Sequence, residues 1–151
     1  MLAFPNAKIN LGLSITAKRS DGYHEIETCM VPIALHDALE IVESKQQRFF
    51  AHGIPIPGNE KDNLILKAYR LLKKDFPSLP EAEIHLLKKI PMGAGLGGGS
   101  ADAAFALTLM SKLFNLHLED WLLEEYAAKL GSDCPFSFRT RLKSQQVEGR
   151  F

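Results

Sequence analysis

The order of hydrophobic periods along these 151 residues predicts a two-layer α+β domain in which a mixed β-sheet carries its helices on one face. Three observations predict it. Four strand-like runs precede the first helical pattern, so strands cluster at the amino end instead of alternating one for one with helices. One further strand follows that helix, and two more helical patterns then adjoin with no strand between them. Composition permits a single core, 46% of residues being apolar and 24% charged in a chain of this length.

Taken in order, Ala7, Ile9, Leu11, Leu13 and Ile15 alternate with Lys8, Asn10, Gly12 and Ser14, which predicts a half-buried strand. Period two sets the five apolar side chains on a core face and Lys8 beside Asn10 on the polar face, with Gly12 leaving room for something to lie close. A lysine so placed is ordinarily solvated, and only its company gives it another role. Lys18-Arg-Ser-Asp-Gly22 supplies a turn, Asp-Gly being a strong hairpin dipeptide, and a returning strand is expected from Tyr23 to Val31. Tyr23 and His24 stand at its start; such a pair more commonly packs a sheet, and an aromatic there can also stack on a base. Third and fourth strands are expected at Ala38 to Glu43 and Arg48 to His52, before Gly53-Ile-Pro-Ile-Pro-Gly58, a loop that cannot carry a ladder.

Asp62 or Asn63 caps a helix reaching about Lys74, with Leu64, Ala68, Leu71 and Leu72 on one face. Pro77 and Pro80 close it and introduce a strand at about Glu83 to Leu87. A second helix opens at Gly99 or Ser100; its Ala101, Ala103, Ala104 and Ala106 permit close packing, while Leu107, Met110, Leu113 and Phe114 face a core. Asp102 suits the positive end of that helix, or a magnesium ion. Glu119 to Leu130 forms a third helix, with Leu122, Tyr126 and Leu130 aligned and Gly131 as its C-cap. Ser132-Asp-Cys-Pro135 reads as a turn, in which Asp133 is ordinarily a turn former. Phe136 and Phe138 suggest a last short strand, and residues 139–151 a polar tail.

Charge and cysteine usage exclude several classes. Eighteen basic residues balance eighteen acidic ones, leaving no basic field for nucleic acid or an anionic membrane, so a small-molecule partner is expected. Cys29 and Cys134 are too few for a disulfide framework and lack metal-ligand spacing; reduced thiols in a cytoplasm fit them. No apolar run approaches the length of a membrane span, and no leader pattern is visible at Met-Leu-Ala-Phe-Pro.

The chemistry-bearing stretch is Pro91-Met-Gly-Ala-Gly-Leu-Gly-Gly-Gly-Ser-Ala-Asp-Ala-Ala104. Its glycines allow tight turns and close approach, and the helix behind them offers unpaired N–H groups and a positive dipole end, so phosphate is the expected ligand. Gly93 to Gly98 also matches the dinucleotide fingerprint, but that reading needs an acidic residue on a second strand about twenty residues on, and helix follows helix here. A Walker A loop needs a Lys-Ser or Lys-Thr after the last glycine, and a protein-kinase glycine loop lies between two strands; neither condition is met. A glycine-rich turn that merely packs helix on sheet stays open.

Three blocks, Pro5-Asn-Ala-Lys-Ile-Asn-Leu11 with Arg19-Ser-Asp-Gly-Tyr-His-Glu25, the glycine stretch, and Gly131-Ser-Asp-Cys-Pro-Phe136, resemble in order and spacing the amino-terminal domain of the GHMP small-molecule kinases. The likeness spans roughly residues 3 to 138. It implies a domain like the second domain of ribosomal protein S5, ATP and Mg2+ as cofactors, and phosphorylation of a hydroxyl. The Lys-Ile-Asn and Asp-Gly-Tyr-His blocks point to the branch that acts on a cytidine-diphosphate-linked methylerythritol in the non-mevalonate route to isoprenoids. It further implies that Pro91, Met92, Gly93, Ala94, Gly95, Leu96, Gly97, Gly98, Gly99 and Ser100 wrap the ATP phosphates, with Asn63, Leu64 and Lys88 near the adenine. Tyr23 and His24 match the cytosine-binding pair, Asn10 a substrate-binding position, and Lys8 and Asp133 the catalytic ones. In a loose transition state proton transfer comes late, so the principal role of such an Asp is to orient the attacking hydroxyl. The family carries a second domain after the position of Phe138; this chain departs from it there, so the expectation is an amino-terminal domain alone, kinase activity belonging to the longer enzyme and exposed apolar surface favouring self-association. The competing expectations are another GHMP enzyme acting on mevalonate, homoserine or a sugar, and a non-catalytic nucleotide-binding module.

Overall fold

The computed structural model describes residues 1–138 apart from Arg19, Asp21 and Tyr23, with only the main chain of His24 and Ile26. The expected tail over 139–151 lies outside the described residues. Ten elements follow in order: β1 (Leu2–Ala3), β2 (Asn6–Lys18), β3 (His24–His36), β4 (Ala38–Ser44), β5 (Arg48–Gly53), a 3-10 turn (Glu60–Asp62), α1 (Leu64–Asp75), β6 (Glu81–Lys88), α2 (Gly98–Leu113) and α3 (Asp120–Leu130). A further helical turn covers 134–138.

The strands form a four-stranded mixed sheet in the order β1-β4-β6-β5 and a separate two-stranded ribbon of β2 with β3. β6 runs antiparallel to β4 and parallel to β5, the parallel pair being joined through α1, as such a pair requires a crossover. One face of the sheet, through Leu39, Ile41, Ala82, Ile84 and Leu86, packs on the helices through Ile65, Ala68, Leu72, Leu107 and Met110. α2 is buried almost all round, which is why its sequence shows small and large apolar residues on every side. Two tyrosines pin the helices: Tyr69 Oη to Glu81 Oε2 at 2.8 Å, and Tyr126 Oη to Asp75 Oδ2 at 2.6 Å. Burial and the neighbouring carboxylate push the Tyr126 hydroxyl up to about 12.

Three sequence expectations are corrected. Leu11, Leu13 and Ile15 are not on a buried face: they are 57, 53 and 64% exposed. From Asn10 to Lys18 both faces of the strand are exposed, since β2 belongs to a two-stranded ribbon with β3 and not to the sheet that carries the helices; Leu11 pairs with Cys29 and Leu13 with Thr28, so Gly12 is an extra residue in a bulge with φ 74°. One inserted residue exchanges the two faces, leaving Ile9 and Leu11 on one side and carrying Leu13 and Ile15 to the side of Lys8 and Asn10. The Thr28 hydroxyl, 2.6 Å from the Gly12 carbonyl, satisfies the acceptor that the bulge releases.

Phe136 and Phe138 lie on a helix, not a strand, since Cys134, Ser137 and Phe138 are buried at the i, i+3, i+4 spacing. Finally, β1 supplies one sheet edge that no period could reveal in two residues, while the expected first strand joins the ribbon.

Candidate active site

The two ends of the described chain meet at the glycine loop. Lys8, on β2, is only 4% exposed, so the expectation of a solvated lysine does not hold. Its Nζ lies 3.4 Å from Asp133 Oδ2 and donates to Asn10 Oδ1 at 3.2 Å. Its main-chain N–H donates to Leu96 O at 2.9 Å, which docks β2 on the loop. Those contacts compensate a charge that would be costly to bury alone. Asp133 stays partly open, its side chain 34% exposed, so a ligand can reach it.

Gly93, Gly95 and Gly97 take φ of 72, 72 and 69°, whereas Ala94 and Leu96 between them do not. Alternation of left-handed glycines with ordinary residues is the backbone pattern of an anion-binding nest. A Cβ at Gly93 or Gly95 would meet nothing within 4 Å, so that side of the loop is open. α2 begins behind it with Gly97 as N-cap and no side chain capping the first turn, which leaves its N–H groups available to an anion. Cys134, next to Asp133, is buried, and that burial pushes its thiol up.

Two adjoining hollows share Leu64, Met92 and Gly99. One, of about 160 Å³, follows the loop from Pro91 to Ser100; the other, of about 110 Å³, is walled by Ile56, Pro57, Asn59, Asn63, Lys88 and Asp102. Asn63 caps α1, its Oδ1 accepting from Ile65 N at 2.9 Å. The Lys88 side chain is wholly buried, bridging Asp37 Oδ2 and, at 2.8 Å, Asp102 Oδ2; it serves the hollow as wall, not as an exposed charge. Asp102 is therefore the ion-pair partner of Lys88. Its Oδ1 is buried with no partner among the described residues, and burial, opposed by Lys88 and reinforced by Asp37, pushes its carboxyl up to about 7.

Thus Lys8, Asn10, Asp133 and the loop converge, and Asn63, Leu64 and Lys88 border the hollow beside it. His24 pairs with Lys18 at the far end of the ribbon, and Tyr23 lies outside the described residues. Sequence reasoning missed the Ile56-Pro57-Asn59 wall, read only as loop, and Asp37, a lone acid between two apolar strands. Among the described residues no group of three His, Cys, Asp or Glu could hold a metal ion, and no helix is long and apolar enough to cross a membrane.

A glycine nest at a helix start, mounted on a mixed sheet and faced by a buried lysine, defines the class. A family model described as "GHMP kinases N terminal domain" matches residues 63–140, and the chain belongs to that family. The chain is 59% identical over 141 residues to a 4-diphosphocytidyl-2-C-methyl-D-erythritol kinase of Azobacteroides pseudotrichonymphae, covering 93% of this chain and 52% of that protein. It is 57% identical over 145 residues to the enzyme of the same name from Bacteroides fragilis, covering 93% and 53%. The chain thus spans about half the length of the curated relatives it matches. A crystal structure of 4-(cytidine 5'-diphospho)-2C-methyl-D-erythritol kinase superposes with TM-score 0.76 at 36% identity, over 93% of this chain and 49% of that one. Streptococcus pneumoniae phosphomevalonate kinase, in complex with phosphomevalonate and AMPPNP, shares the fold with TM-score 0.62 at 14% identity, over 86% and 42%.

Proposed function

We propose that this chain forms the nucleotide-binding half of a cytoplasmic kinase that transfers the γ-phosphoryl group of ATP to a hydroxyl of 4-diphosphocytidyl-2-C-methyl-D-erythritol. The observation that carries the reading is the Lys8–Asp133 pair, 3.4 Å apart, on the rim of a glycine nest that Lys8 itself hydrogen-bonds.

ATP fits the chain's own groups. The loop from Gly93 to Ser100, with Pro91 and Met92 leading in, receives the phosphates on its open side, and Asn63, Leu64 and the Lys88 wall take the adenine. Mg2+ comes with the triphosphate, where it neutralises charge on the phosphate oxygens, as this ion commonly binds through phosphates and few carboxylates. Phosphoryl transfer depends on positioning and charge neutralisation. Loop amides and the Lys8 ammonium supply the second; Asp133 orients the attacking hydroxyl and takes its proton late, and Asn10 holds the Lys8 ammonium in place. Tyr23 and His24 recognise the cytosine. The exposed Leu11, Leu13 and Ile15 favour self-association, readable as a concentration-dependent mass by light scattering.

A coupled ADP-release assay on this chain joined to the second domain that the family carries, run with the cytidine-linked substrate against mevalonate, phosphomevalonate and homoserine, tests the reading. ADP release that depends on the cytidine-linked alcohol supports it; preference for another alcohol moves the chain to another branch. Nucleotide binding without turnover on any of them supports a binding module instead.

A further inference from the structure

Asp37 is the one residue between β3 and β4, and its main-chain N–H and both carboxylate oxygens are committed across the fold. Its main-chain N–H donates to Pro5 O at 2.9 Å, three residues before Lys8. Its Oδ1 accepts from Lys89 N at 2.5 Å and Ile90 N at 2.8 Å, where the chain leaves β6 for the glycine loop. Its Oδ2 bonds Lys88 Nζ, which reaches on to Asp102 in α2. The residue is 1% exposed and Lys88 likewise 1%, so neither end of this clamp is screened by solvent.

We propose that Asp37 is a positioning residue that holds the strand of Lys8 and the phosphate loop in register with each other. The inference rests on the nucleotide-binding reading above. One carboxylate touches the approach to the loop, its main chain touches the approach to Lys8, and Lys88 relays it to the helix that the loop opens. A carboxylate accepting two main-chain N–H groups and a lysine also fixes where the peptide of Ile90 points, and hence where Gly93 to Gly97 begin. The Lys8 N–H bond to Leu96 O is the only other link that spans strand and loop directly among the main-chain bonds of the described residues. Loosening Asp37 therefore shifts the amides that meet phosphates, while Lys88 keeps its bond to Asp102 at 2.8 Å and with it its place in the wall of the hollow beside Leu64 and Met92.

The test compares ATP with adenosine on the full chain, by two-dimensional NMR titration, which reads millimolar affinities, for wild type, Asp37→Ala and Asp37→Asn. With Asp37→Ala, ATP affinity is expected to fall tenfold or more and adenosine affinity to stay within twofold, with amide-exchange protection lost at Lys89 and Ile90. Asp37→Asn keeps an acceptor for the two amides and should recover part of the ATP affinity. Parallel loss of both ligands, or unchanged ATP affinity, overturns the proposal. If Asp37→Ala does not fold, the ATP-to-adenosine ratio in Asp37→Asn decides by the same criterion, a threefold or greater fall supporting it and no fall overturning it. A wild-type chain that binds neither ligand defeats the nucleotide reading itself, a different result from a ratio that does not move.

Discussion

Replacing Gly97 with alanine perturbs the loop and the lysine together, and Gly95 provides its control. Both glycines sit at φ near 70°, which costs an L-residue about 1–2 kcal/mol, offset by about 0.4–1 kcal/mol from the stiffer unfolded chain. Gly95→Ala should therefore lose about 1 kcal/mol, since its Cβ meets nothing within 4 Å. At Gly97 the new Cβ lies 3.0 Å from Lys8 Cγ and 3.1 Å from Cε, well inside an ordinary carbon contact. That lysine has nowhere to retreat, being buried and held at both its amide and its ammonium, so overpacking adds about 1–3 kcal/mol. Urea denaturation of both variants should show Gly97→Ala less stable than Gly95→Ala by at least about 1 kcal/mol. In turnover, a displacement of the ammonium approaching an ångström is expected to lower kcat by up to about a hundredfold. Equal stability of the two variants would mean that Lys8 does not press on the loop, and the geometry argued for the pair would be wrong.

Other outcomes follow from the same contacts. In a complete two-domain enzyme Asp133→Ala should abolish phosphoryl transfer in an ADP-release assay while leaving ATP affinity within a few fold, and should cost about 1–3 kcal/mol because Lys8 loses a partner; near-normal kcat refutes the role. Lys8→Ala should lower kcat, and a change confined to the KM for ATP would reassign Lys8 to ground-state binding. Asp102 holds a proton up to about pH 7 in the folded chain, above the ordinary carboxylate range. Between those two values the folded state binds the proton that the unfolded state has lost, so stability falls as pH rises, by at most about 1.4 kcal/mol per pH unit, and levels off above 7. Lys88 and Asp37 are the charged groups facing it, and both remain in Asp102→Asn, which should flatten that slope in denaturation at stepped pH; an unchanged slope removes Asp102 as its source. A Cβ at Gly53 would stand 2.2 Å from the Lys88 carbonyl oxygen, main chain that cannot yield, so Gly53→Ala should lose about 3 kcal/mol or more in thermal unfolding, and a loss under about 1 contradicts the packing.

Legibility from sequence divides along a physical line. The helix start at the glycines, the Asn63 cap and the succession of strands were readable because each depends on neighbours in the chain. Lys8 and Asp133 were readable in kind through the resemblance of three blocks, although a strand lysine and a turn aspartate are ordinary features taken singly. The faces of β2 were misread because alternation shows that a strand has two faces and not whether anything packs on either, and beyond Ile9 both are exposed in the ribbon, with Gly12 bulged besides. Phe136 and Phe138 alternate like a strand over too few residues to separate the two periods. The Asp37–Lys88–Asp102 cluster joins residues 51 and 14 positions apart, so no local pattern contains it.

The Lys8–Asp133 pair also bears on synthesis. Its partners belong to the first long strand made and to almost the last described turn, so among the described residues this contact closes a very long loop and forms late. A growing chain can assemble sheet, crossover and glycine turn while its early ammonium still waits, desolvated on one side, for a counter-ion not yet translated. The lifetime of that species should govern how much nascent protein chaperones intercept.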